Sequence, residues 1–230
     1  MRRTCLFALC LLDACAARAP ALHENPVVKV EYRGEKQLTE EQRKETGSPP
    51  WVTELYKGSG SGFFVNRDGV IVTNYHVIAK RGVQRLEIIV TVDDRWRYPA
   101  RVLHADPEAD LAVIRIDADK ETWIPFLPLG LAAGIGAELR VQGYPGGGPF
   151  RQTVGNVMRT GALLECTIPV RIGNSGGPAL WSDNTVAGVV TGLRKRAFRG
   201  PGANVAAEFS LLVPVETLRV RLAGWKVSFD

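Results

Sequence analysis

His23, His76 and His104, the three histidines of this 230-residue chain, all precede the segment Gly173-Asn174-Ser175-Gly176-Gly177, and that order restricts what the chain can fold into. A serine between glycines suits covalent catalysis. Small neighbours let the backbone turn sharply, carry the hydroxyl to a reacting carbonyl and aim amide N–H groups at a developing oxyanion. The same residue types also fill surface turns for their own backbone reasons. The segment satisfies Gly-x-Ser-x-Gly as well, the nucleophile elbow of α/β-hydrolases, but in that fold the histidine follows the serine. That fold is excluded here unless another serine acts. A His-Asp-Ser or an Asp-His-Ser order remains.

Short Val/Ile/Leu runs separated by turn residues dominate the rest of the chain, with 24 glycines and 14 prolines spread among them. Strands are expected at Val27 to Tyr32, Gly62 to Val65, Val70 to Thr73, Leu86 to Val92, Tyr98 to Leu103 and Leu111 to Ile116. The Asp68-Gly69 pair and the Asp93-Asp94 pair mark hairpin turns between them. Ala118 to Phe126 reads as a connector. A second set follows at Glu138 to Gly143, Arg151 to Met158, Ala162 to Ile168, Pro178 to Trp181, Thr185 to Thr191 and Ala206 to Pro214. Val215, Leu218 and Leu222 stand at helical spacing, with Gly224 beyond them. The expected fold is therefore all-β, two six-stranded antiparallel barrels over about 27–117 and 126–214, closed by a short C-terminal helix over about 215–223.

Two polar stretches interrupt this pattern. Arg33 to Lys57 reads as a loop insertion with room for a helical turn, and Arg194-Lys195-Arg196 with Arg199 as a solvated loop face. Gly58-Ser59-Gly60-Ser61-Gly62 is not a nucleotide loop, because Phe63 and a strand follow where a phosphate loop would open a helix.

Met1-Arg2-Arg3, the apolar Thr4 to Leu12 and the small residues from Ala17 to Ala21 predict an export signal over 1–19, too short to span a membrane. Leu12-Asp13-Ala14-Cys15 also resembles a bacterial lipobox, in which Cys15 would become the acylated first residue, although Asp13 departs from that pattern. The expected location is periplasmic or secreted, with a membrane-anchored lipoprotein as the alternative. Cys5, Cys10 and Cys15 lie in this segment. A chain from Pro20 to 230 keeps only Cys166, so a packed core rather than an internal disulfide must hold it together. The formal charge of +5 includes +2 from Arg2, Arg3 and Arg18 set against Asp13, and no basic run is dense enough to argue for nucleic acid.

A serine hydroxyl needs a base within hydrogen-bond reach, itself oriented by a third group. His23 sits beside the cleavage site, where chains are often disordered, and His104 lies within a strand pattern. His76, where a strand ends, is the candidate base. Asp106 precedes Pro107 in a turn pattern, whereas Asp110 directly precedes a hydrophobic run and suits the task of holding His76 in one tautomer.

Gly60-Ser61-Gly62-Phe63-Phe64-Val65, Val72 to Val77, Asp106 to Ile114, Gly143-Tyr144-Pro145-Gly146 and Gly173 to Pro178 together resemble the protease domain of HtrA/Deg-type serine endopeptidases of the chymotrypsin fold. The resemblance covers roughly Val27 to Leu222. It implies His76 as general base, Asp110 as its partner and Ser175 as nucleophile, with Gly173, Asn174 and Ser175 forming the oxyanion loop. Ile172, Thr191 and Gly192 are expected to line a pocket for small or medium aliphatic side chains. No metal or cofactor is called for. The partners expected are protein or peptide substrates, with a homo-oligomer left open. Two features depart from the family: Cys166-Thr167 stands in place of a Thr-Asp pair, and Arg171-Ile172 replaces a residue pair that usually includes Asn. The alternative function motivated by Arg171-Ile172 is a catalytically inactive, protease-fold binding or chaperone-like module. Because 55 residues follow Ser175 and the second barrel uses most of them, no PDZ domain is expected.

Overall fold

The computed structural model describes residues 23–49, 53–79, 83–119, 122–200 and 203–229, so the export segment 1–19 and Cys15 lie outside the described residues. Six strands, β1 (Val27–Gln37), β2 (Thr53–Phe64), β3 (Val70–Thr73), β4 (Val83–Val92), β5 (Trp96–Asp106) and β6 (Leu111–Ile116), close an antiparallel barrel in the order β1-β2-β3-β6-β5-β4. Six more close a second one: β7 (Glu138–Gly143), β8 (Arg151–Arg159), β9 (Leu164–Cys166), β10 (Pro178–Leu180), β11 (Val186–Gly200) and β12 (Ala203–Pro214), in the order β10-β11-β12-β9-β8-β7. Among the described residues no helix is long and apolar enough to cross a membrane.

Side chains alternate across a strand, and here both faces are buried. Val28, Val30, Ile71, Ala112 and Ile114 fill the first barrel, while their neighbours Val27, Val70, Val72, Leu111 and Val113 point outward. Those outward residues pack against Tyr144, Leu180, Val189 and Val213 of the second barrel, so the seam between barrels is itself a hydrophobic core. The helix α3 (Val215–Gly224) lays Val215, Leu218 and Leu222 inward, and Leu218 and Leu222 join that seam. Fully burying each leucine contributes roughly 1.5–3 kcal/mol. The C-terminal tail is tied back to the first barrel where Asn66 Nδ2 donates to Ser228 O at 2.8 Å.

Two expectations are corrected. Within the segment 33–57, residues 33–37 and 53–57 are strand: β1 and β2 pair without interruption from Val27↔Phe63 to Gln37↔Thr53, and with β4, which pairs with β1 as far as Lys36↔Val83, they form a three-stranded arm. At its end Thr39 and Gln42 form a capping box for helix α1 (Glu40–Thr46), and Gly47 closes that helix at φ +65. The arm's residues are polar because it needs no apolar face; backbone pairing and the stacked rings of Tyr32 and Tyr56 support it. Likewise Arg194 to Arg199 lies on β11, paired with β12 almost to the tip of a second arm. Arg194 and Arg196, two apart and therefore on one face, both reach the Glu165 carboxylate, at 2.5 and 2.7 Å.

His23 is also unlike its expectation, being buried with Nδ1 3.3 Å from Asp93 Oδ2 and Nε2 3.1 Å from Tyr98 Oη. Burial lowers its pKa, against the opposing pull of Asp93. His104 stacks on Trp225, with centroids 5.4 Å apart. Cys166 is a buried free thiol whose pKa burial pushes up to about 12.

Candidate active site

Strand β3 ends at Thr73, and buried Asn74 leads into the single helical turn α2 (Tyr75–Ile78), which carries His76 beside the turn that precedes β6. His76 meets both carboxylate oxygens of Asp110. Its backbone N–H donates to Oδ1 at 3.0 Å, and its ring Nδ1 lies 2.8 Å from Oδ2. An ionised carboxylate only accepts, so Nδ1 carries the proton and Nε2 is left as a lone-pair base. Asn74 Nδ2 donates to Asp110 O at 2.8 Å, which holds the backbone of Asp110 in a left-handed conformation at φ +52.

Thr191, expected in a substrate pocket, gives its hydroxyl proton to Asp110 Oδ2 instead. The β11–β12 register shifts between Val190 and Gly192, leaving Thr191 as the extra residue of a bulge that re-aims its side chain. Burial alone would push the Asp110 carboxyl up. Hydrogen bonds from the His76 ring, Thr191 and the His76 N–H outweigh it and hold the pKa below the usual value. Asp106 has other work: it accepts from the N–H groups of Glu108 and Ala109 and pairs with Arg221 at 2.5 Å.

The serine half is made of backbone. Asn174 N–H donates to Arg171 O at 3.0 Å across a turn whose third residue, Gly173, has φ +99, as a type II turn requires. A Cβ on Gly173 would lie 2.5 Å from Tyr144 O, so only glycine fits. The Ile172 carbonyl accepts from Gly146 N–H at 2.6 Å, and the Asn174 carbonyl from Gly177 N–H at 2.9 Å. Gly176, at φ +85, leaves no room for a Cβ against Ser61 O, Thr73 Oγ1 and Asn74 N, which brings Ser175-Gly176 against the residues just ahead of His76.

Among the described residues the N–H groups of Gly173 and Ser175 have no hydrogen-bond partner. Asn174 departs from the oxyanion grouping, since its N–H is bound by Arg171 O. Ile172 is 86% exposed and Arg171 is exposed too, so at the unusual Arg171-Ile172 pair the turn uses only backbone atoms. Gly192 faces open space. Neither Ser175 Oγ nor His76 Nε2 makes a hydrogen bond among the described residues, so the Ser175–His76 bond is not formed in this structure. Among the described residues, no group of three or more His, Cys, Asp or Glu could hold a metal ion.

Sequence reading missed Thr191 as a partner of Asp110 and missed Ser61. Ser61 is fully buried and donates from Oγ to Gly173 O at 2.7 Å. The only signal for it is the Gly60-Ser61-Gly62 spacing: a Cβ on Gly60 would crowd Val77 and one on Gly62 would crowd Ile71, so the strand runs unusually close to its neighbours.

A trypsin-like peptidase domain model matches residues 60–189. The chain is 36% identical over 182 residues to Protease Do-like 1, chloroplastic, of Arabidopsis thaliana, which covers 73% of this chain and 39% of that protein. It is 33% identical over 164 residues to a probable periplasmic serine endoprotease DegP-like of Chlamydia trachomatis, covering 66% of this chain and 31% of the relative. The chain thus spans well under half the length of these curated relatives. The crystal structure of the serine endoprotease from Yersinia pestis superposes with a TM-score of 0.62 at 23% identity, over 88% of this chain and 63% of that one, a likeness in fold.

Proposed function

This chain belongs to the trypsin-like peptidase family, and from that premise we propose that it is an HtrA-type serine endopeptidase acting on proteins or peptides through an acyl-enzyme. In this reading Ser175 Oγ attacks the scissile carbonyl while His76 Nε2 takes the hydroxyl proton. The carbonyl oxygen becomes an oxyanion and accepts from the Gly173 and Ser175 N–H groups. The protonated imidazole, steadied by Asp110, then returns the proton to the leaving amine as the C–N bond breaks. Water repeats the cycle on the acyl-enzyme and releases the acid.

The observation that carries this reading is the pair of unpartnered N–H groups at Gly173 and Ser175, beside the bound N–H groups of Asn174, Gly176 and Gly177. Turnover of casein or a peptide library by wild type and by Ser175→Ala tests it. The variant is expected to lose kcat by on the order of 10⁶-fold, and equal turnover would sink the reading. The alternative, an inactive binding module, is motivated by Arg171-Ile172, and the exposure of both side chains weighs against it.

By its likeness to HtrA-type endopeptidases, the chain is expected to favour small or medium aliphatic residues before the cut. Cleavage-site profiling with a preference for basic residues would contradict this. The N-terminal segment, together with the periplasmic description of the Chlamydia relative, supports export. The mass of the mature N-terminus separates cleavage at 19 from acylation at Cys15.

A further inference from the structure

Four peptide units run from Ile172 to Gly176, and each of their carbonyls is held by one named donor. Gly146 N–H holds Ile172 O and Gly177 N–H holds Asn174 O. The C=O and N–H of a trans peptide point in opposite directions, so these two bonds turn the Gly173 and Ser175 N–H groups the other way. Ser61 holds the remaining two carbonyls. Its Oγ donates to Gly173 O at 2.7 Å and its N–H donates to Ser175 O at 2.8 Å. Gly146 and Gly177 belong to the second barrel, whereas Ser61 reaches across from β2 of the first.

The direction of the hydroxyl is determined as well. A serine hydroxyl has one proton, and Tyr144 N–H occupies an acceptor position on Ser61 Oγ at 2.9 Å, so the proton goes to Gly173 O. Ser61 is 0% exposed, which excludes water as a competitor. Its carbonyl accepts from Thr73 Oγ1 at 2.7 Å, and Thr73 ends the strand that leads to His76. Gly143 must lack a side chain, because a Cβ there would lie 2.7 Å from Ser61 Oγ. One buried residue thus touches the oxyanion turn and the Tyr144–Gly147 turn through its hydroxyl, and the base of the His76 helix through its carbonyl.

We propose that Ser61 is a positioning residue for catalysis, holding the Arg171–Asn174 turn so that the Gly173 N–H faces the oxyanion. The proposal rests on Ser175 being the nucleophile. Removing the hydroxyl leaves Tyr144 N–H and Gly173 O buried without a partner, and the turn relieves this by rotating. Ser61 is fully buried and so cannot touch a substrate, and the effect falls on the chemical step.

The test is steady-state cleavage of a fluorogenic peptide by wild type, Ser61→Ala and Ser61→Cys, with thermal melts and the affinity of a peptide boronate that forms a tetrahedral anionic adduct on serine. Ser61→Ala is expected to lose kcat by about 10–100-fold, approaching the loss of one oxyanion donor, with KM within about threefold. Boronate affinity falls by a similar factor. Ser61→Cys, close in volume but a weak donor, falls between the two and remains folded if the alanine variant does not. Wild-type kcat in either folded variant, or a loss that appears in KM instead of kcat, overturns the role of Ser61 while leaving the endopeptidase reading intact. A wild type that neither cleaves the peptide nor binds the boronate overturns the endopeptidase reading itself.

Discussion

His76, Asp110 and Thr191 meet mainly through side-chain atoms, whereas the turn around Ser175 is shaped by carbonyls and N–H groups with one side-chain hydroxyl, that of Ser61. The two halves of the site therefore fail in different ways. In the first half, the identity of a side chain decides the proton's position and the charge beside it. In the second, the absence of side chains decides the outcome, because φ +99 at Gly173 and the tight approaches at Gly173 and Gly176 admit no Cβ.

Substitutions that respect shape but change chemistry should damage the side-chain half most. Asp110→Asn keeps the volume but presents an amide that can donate to His76 Nδ1, favouring the wrong tautomer. A loss in kcat of about 10⁴-fold is expected, by analogy with a measured triad. Single-turnover kinetics check this, and a loss below tenfold would mean that Asp110 does not set the tautomer.

The backbone half should show the opposite sensitivity. Gly173→Ala adds a single methyl, yet it places that carbon against Tyr144 O, and it is expected to reduce kcat by about 10²–10³-fold, as for the loss of an oxyanion donor. Arg171→Ala removes a far larger side chain two residues away and is expected to leave kcat within about threefold, since the turn uses only its carbonyl. Comparable losses in the two variants would break the contrast.

Thr191→Val is milder than Asp110→Asn and Gly173→Ala, with kcat expected to fall by about tenfold through a less firmly held Asp110. It also has a pH signature. The Asp110 pKa is lowered in the folded chain, so its contribution to stability is present above the unfolded carboxyl value and is lost as pH falls through the folded value. Losing the Thr191 hydrogen bond raises the folded value, so acid unfolding of Thr191→Val should begin at higher pH than in wild type. Acid denaturation followed by circular dichroism reads this directly; superimposable curves would remove Thr191 from the carboxylate's environment.

The same contrast accounts for what could be read from the amino-acid order. The barrels were legible because their strands bury both faces and so read as continuous apolar runs, as Val70 to Thr73 and Leu111 to Ile116 do. The two arms were not, because paired strands rich in polar residues such as Arg33 to Gln37 and Leu193 to Arg196 gain their pairing from the backbone and show no apolar alternation. Asp110 could be favoured over Asp106 by its place before β6. Thr191 could not be assigned to it, because a strand bulge gives no sign in residue types. Glycine spacing marked the oxyanion turn, but its orientation depends on Gly146 and on Ser61, 112 residues from Gly173. Buried His23 depends in the same way on Tyr98, 75 residues away.

Whether this turn and this histidine activate Ser175 is tested most directly by labelling the folded chain with a fluorophosphonate probe and locating the adduct by mass spectrometry. The account predicts one probe per chain, on the peptide that contains Ser175, with labelling abolished in Ser175→Ala and strongly slowed in His76→Ala. A folded wild-type chain that remains unlabelled, or a label that persists in Ser175→Ala, would contradict it.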